Sequence, residues 1–75
     1  MTLVYITCKD KKEAEKISLY LLKKRLIACA NIFPIRSSYW WKGKIVNDYE
    51  NVIIAKTNNK NFKKVAKEVK KIHSY

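Results

Sequence analysis

Apolar residues fall into blocks separated by short polar breaks, and the period changes from block to block. Thr2 to Cys8, TLVYITC, is an unbroken run rich in β-branched and aromatic side chains that stops at Lys9. It predicts a central strand covered on both faces. The next block switches to helical spacing, with Ala14, Ile17 and Leu21 recurring at three and four residues and Leu22 widening the stripe. Asp10 stands three residues before Glu13, the spacing in which a capping side chain and a reciprocal carboxylate satisfy the first N–H groups of a helix. Lys23, Lys24 and Arg25 supply cations where a C-terminal turn favours them, so the helix is expected to end near Arg25.

A long β-hairpin follows, with arms over about Ile27 to Trp41 and Lys44 to Thr57. Its two-residue turn is Lys42-Gly43, which holds the chain's only glycine. Pro34 cannot donate to a ladder, so a bulge, a bend or an edge position is expected there, with Ile35-Arg36-Ser37-Ser38 opening a separate outer segment. Val52-Ile53-Ile54-Ala55 is the most buried-looking part of the returning arm. Asn61 is the expected cap of a second helix in which Phe62, Val65, Ala66, Val69 and Ile72 form the core face. Six lysines crowd the rest of that helix, with Glu68 the one acid among them. The order β-α-β-β-α reads as a single α+β domain over residues 1–75, a ferredoxin-like sandwich with a protruding hairpin and without its last strand. That strand would lie beside Thr2–Cys8, so this edge is expected to be open.

Composition sharpens this picture in two places. Seventeen Lys+Arg against six Asp+Glu give +11, a charge that attracts phosphate, anionic lipid or acidic protein surfaces without choosing among them. Two cysteines without paired spacing, and no secretory signal, predict a reduced, cytoplasmic setting. No apolar run approaches the roughly 20 residues of a membrane span, so no membrane partner is expected.

The run LIACAN, the YWW-x-G-K that follows it, Ala55-Lys56-Thr57 and the closing His73-Ser74-Tyr75 together resemble the CutA family, often called divalent-cation tolerance proteins. The resemblance is collinear from Val4 to Tyr75. It implies a further strand and a terminal helix beyond Tyr75, an association with copper and other divalent cations, and a cleft between subunits. The family's His-x-Tyr element matches His73, although the family usually has proline where this chain has Ser74.

On the residues themselves, Cys8 and Cys29 read first as small buried hydrophobes. His73, the only histidine, suits a helix C-terminus as a cap. The functional alternative makes His73 and Cys29 ligands of a divalent metal ion such as copper, completed by water or a neighbouring subunit. Lys56, embedded in an apolar strand, either snorkels or joins Tyr75, Arg36 and Glu50 in an anion-binding cleft. Tyr39, Trp40 and Trp41 near the hairpin tip read as contact residues between copies, since a protruding apolar hairpin is a poor monomer. No nucleophile-base pair and no Gly-rich phosphate loop is present, so no enzyme activity is expected. The leading reading is a homotrimeric, non-catalytic, copper-binding protein of metal-ion tolerance. A PII-like anion-binding signalling or scaffold trimer comes second. A basic nucleic-acid module comes last, because the aromatic segments of RNA-binding domains are not seen.

Overall fold

The structure, a computed structural model, describes residues 1–73. Strand β1 spans Thr2–Cys8, helix α1 Lys11–Lys23, strand β2 Cys29–Trp41, strand β3 Lys44–Thr57 and helix α2 Phe62–Ile72, with a single 3-10 turn at Asn59–Asn61 leading into α2. The Asp10 side chain accepts from the Glu13 N–H at 2.8 Å, while the Glu13 carboxylate reaches back to the Lys9 N–H at 3.0 Å. This is the expected reciprocal cap, moved one residue outward. At its other end α1 closes in a Schellman motif: Leu26 N–H donates to the Leu21 carbonyl and Arg25 N–H to that of Leu22. Arg25 therefore takes a left-handed φ of 55°, a conformation normally given to glycine.

Both strands of the hairpin run without interruption to the Lys42-Gly43 turn, whose residues have φ of 51° and 77°, the primed geometry that matches strand twist. Among the described residues the sheet is three-stranded and antiparallel, in the order β1-β3-β2. Pro34 sits in β2, an edge strand, opposite Asn51. The expected edge position holds, and Ile35 to Ser38 continue the same strand instead of opening a new segment.

The two helices cover one face of the sheet. Ile6 and Cys8 of β1, Ile53 and Ala55 of β3, Ala14, Ile17 and Leu21 of α1 and Val65 of α2 form one cluster, with Ala30 and Ile32 of β2 packed against it. Each full burial of such an aliphatic side chain contributes about 1.5–3 kcal/mol. The reading of β1 as a central strand covered on both faces is corrected here. β1 lies at an edge, and Leu3 and Tyr5, which alternate with the core residues, are 60% and 63% exposed. Two further expectations change. Asn58, not Asn61, supplies the side-chain cap before α2, accepting from the Asn61 N–H at 2.9 Å. Phe62 is exposed, which leaves Val65 as the one fully buried side chain of α2.

Beyond the helices the hairpin continues alone, giving the molecule an extent of 41 Å against 21 Å in the other two directions.

Candidate metal centre

The termini of three elements meet at one place. Cys8 is the last residue of β1, Glu13 lies in the first turn of α1, and His73 follows α2 with its N–H donating to the Val69 carbonyl at 2.8 Å. One ligand atom from each, the thiol sulfur, a carboxylate oxygen and a ring nitrogen, all lie within 4.8 Å of one another. The cap explains part of this: pulling Glu13 back to Lys9 turns its carboxylate toward the end of β1. His73 is anchored from the other side by its Nε2, which donates to the Thr7 carbonyl. A neutral ring donating from Nε2 keeps its lone pair at Nδ1.

The electrostatics of the group favour a cation. Burial, reinforced by the nearby Glu13 and Asp10 carboxylates, pushes the Cys8 thiol up to about 11. The thiol is therefore protonated at neutral pH, and a metal ion binding there takes the proton's place. Ligands around a tetrahedral zinc ion stand roughly 3.5 Å apart, given bond lengths of about 2.0–2.3 Å. The three side chains fit such an ion after closing by about 1 Å. The sulfur, nitrogen and oxygen set suits zinc or copper better than calcium or magnesium, which take oxygen. Three protein donors also leave a fourth position open.

Other residues singled out in the sequence lie elsewhere. Cys29 begins β2 opposite Lys56, at the far end of the paired β3 segment from Asn51, which faces Cys8. Its thiol points to Asn31 Oδ1 at 4.0 Å, so within one chain it does not share a site with His73. Lys56 and Glu50 lie on the same face of β3, but six residues apart, roughly 20 Å along a strand. Arg36 lies on the opposite face, over the ring of Tyr49 at 6.0 Å. These three do not converge within one chain, and Tyr75, the fourth residue of that expected cleft, is outside the described residues. Tyr39, Trp40 and Trp41 are exposed on the distal hairpin. The Tyr39 hydroxyl donates to Asp48, and Lys42 lies 5.7 Å from the Trp41 ring.

Glu13 is the residue that sequence reasoning did not connect to His73; Cys8 counts there with Cys29 and His73 as the three soft or borderline ligands, of which the expected pair is His73 and Cys29. The usable signal was positional: a thiol at a strand's end, two residues before the Asp10 cap and five before Glu13, whose carboxylate folds back toward it.

The pattern that defines CutA1, described as the CutA1 divalent ion tolerance protein, matches residues 2–75. A divalent-cation tolerance protein CutA of Archaeoglobus fulgidus is 50% identical over 72 residues, covering 96% of this chain and 71% of that protein. A solved structure from the same organism, described as the periplasmic divalent cation tolerance protein CutA, superimposes with a TM-score of 0.91 at 49% identity, over 97% of this chain and 72% of that one. The PII-like protein CutA from Nostoc has a TM-score of 0.89 at 23% identity, covering all of this chain and 71% of its own, and shares the ferredoxin-like fold. Among the described residues, no helix is long and apolar enough to cross a membrane.

Proposed function

The chain belongs to the CutA1 divalent ion tolerance family, and from that premise we propose that it is a non-catalytic, homotrimeric binder of divalent cations, copper among them, serving metal-ion tolerance in the cytoplasm. The observation that carries the reading is the meeting of Cys8, Glu13 and His73 within 4.8 Å. In this reading the metal sits at the junction of β1, α1 and α2. Cys29, the thiol first paired with His73, belongs in this proposal to the sheet face at the base of the hairpin.

The trimer part rests on the hairpin. A two-stranded ribbon is marginal by itself in water, and this one leaves Trp40 72% and Trp41 59% exposed. Packing Tyr39, Trp40 and Trp41 against neighbouring copies removes that apolar area from water. The same packing is what would bring Lys56 of one chain toward Arg36 and Glu50 of another, so the anion cleft belongs to the assembly and not to the single chain.

Native mass spectrometry reads both parts together. Zinc is the first probe because it has no redox chemistry with thiols, and copper is the second. The expected result is a trimer that takes up one ion per chain and loses this uptake in both His73→Ala and Cys8→Ser. Unchanged uptake in those variants would remove the metal from this site, and a monomer would remove the hairpin from assembly.

A further inference from the structure

The other end of the helix layer carries a site of opposite sign. A groove of about 380 Å³ lies between the end of α1 and the side of α2, lined by Lys24, Leu26, Lys64, Lys67 and Glu68. A smaller cavity of about 160 Å³ shares Leu26 and adds Arg25, Asn58 and Asn61. We propose that this groove binds a phosphate-bearing small molecule.

The one carboxylate among the described residues lining the groove, that of Glu68, is already engaged. Glu68 accepts from the Tyr20 hydroxyl at 2.6 Å and pairs with Lys24 at 3.4 Å and Lys71 at 3.3 Å. Glu68 thus serves as a strut that holds Lys24 at the groove wall. Lys64 and Lys67 have no ion pair among the described residues. They lie three apart on α2, and therefore on neighbouring positions of one helix face. Holding two unpaired ammonium groups side by side is unfavourable unless an anion comes between them.

Arg25 is the second, independent observation. It occupies the left-handed position of the Schellman motif, where glycine carries no steric penalty. An arginine there brings a planar, bidentate phosphate donor to the cavity beside Leu26. The occupant is small because the cations line a groove of ligand size and, among the described residues, no aromatic side chain lines it for base stacking. Leu26 gives an apolar wall, on which the organic part of a phosphate ester rests. The groove is separate from Cys8, Glu13 and His73, which sit where α1 starts and α2 ends.

The test is calorimetric titration of the chain with pyrophosphate, comparing two variants of equal charge. Lys64→Ala/Lys67→Ala removes groove cations, whereas Lys63→Ala/Lys70→Ala removes two from α2 that do not line the groove. Saturable binding at one per chain, weakened at least tenfold by the first pair and less than twofold by the second, is the expected result. Equal weakening by both pairs would overturn the proposal, because it would mean that diffuse helix charge does the binding, as would the absence of saturation. A single-stranded RNA that binds more tightly than pyrophosphate and responds equally to both pairs would overturn it in favour of a polyanion surface. Phenyl phosphate and inorganic phosphate then identify the source: tighter binding of the ester assigns an organic phosphate resting on Leu26, and equal binding assigns the free ion.

Discussion

Strands β2 and β3 lead two different lives along their length. Near the helices, Ile53 and Ala55 are fully buried and Ala30 and Ile32 pack against the same core. Toward the tip the same ladder continues in register from Ile35–Glu50 to Trp41–Lys44, yet Trp40, Trp41, Ile45 and Tyr49 face solvent. Pairing between the two arms is equal in the two regions, but over 51–57 β3 also pairs with β1, which the distal half lacks. Cover changes with it: the proximal half has two helices on one face, the distal half has none. Hydrogen bonds hold the ribbon's shape, but their net contribution is modest, and the apolar area left open calls for a partner.

Substitutions can separate the two regions. The largest effect belongs to the body. Leu21 is fully buried between α1 and the sheet, and Leu21→Ala should cost about 3 kcal/mol, read as a lowered urea midpoint. A domain of this size has little stability to spare. Trp41→Glu should behave in the opposite way. It leaves far-ultraviolet dichroism intact and drops the mass from trimer to monomer, and an unchanged mass would count against the hairpin as the assembly element.

Much of this division was legible in the chain itself. The 3.6-residue stripe of Ala14, Ile17 and Leu21, the Asp10 cap and the Lys42-Gly43 turn are local signals, and the structure has all of them where the pattern put them. The misreadings are non-local. An apolar run such as TLVYITC looks the same whether it lies at a sheet's centre or edge, because strand order depends on pairing across the whole chain. Asn58 and Asn61 are both cap residues by type, and only the 3-10 turn between them decides that Asn58 acts. The strand register, which the sequence does not display, sets the two thiols at opposite ends of the ladder, so that within one chain Cys8 and not Cys29 lies beside His73.

Smaller effects sharpen the contrast further. Gly43 has φ of 77° and nothing within 4 Å of where a Cβ would stand. Gly43→Ala is therefore a strain effect without a clash, worth about 1 kcal/mol, and it should loosen the tip while leaving the amide exchange of β1 and α1 unchanged. The smallest effect is electrostatic. The Tyr20 hydroxyl, aided by Lys71 and Lys24, holds the Glu68 carboxyl down at about 2, from an ordinary 4.5. A carboxyl depressed by folding contributes stability above 4.5 that is lost as the pH falls toward 2. Tyr20→Phe should flatten that acid limb in thermal melts and leave the neutral range nearly unchanged.

The most direct test of the account is the absorption of the cobalt(II)-loaded chain. A thiolate ligand gives a sulfur-to-cobalt charge-transfer band in the near ultraviolet. With the metal held by Cys8, Glu13 and His73, the band should survive Cys29→Ser, disappear in Cys8→Ser and weaken in His73→Ala. A band that persists in Cys8→Ser and vanishes in Cys29→Ser would contradict the account, because it would put the metal at the base of the hairpin and not where β1, α1 and α2 meet.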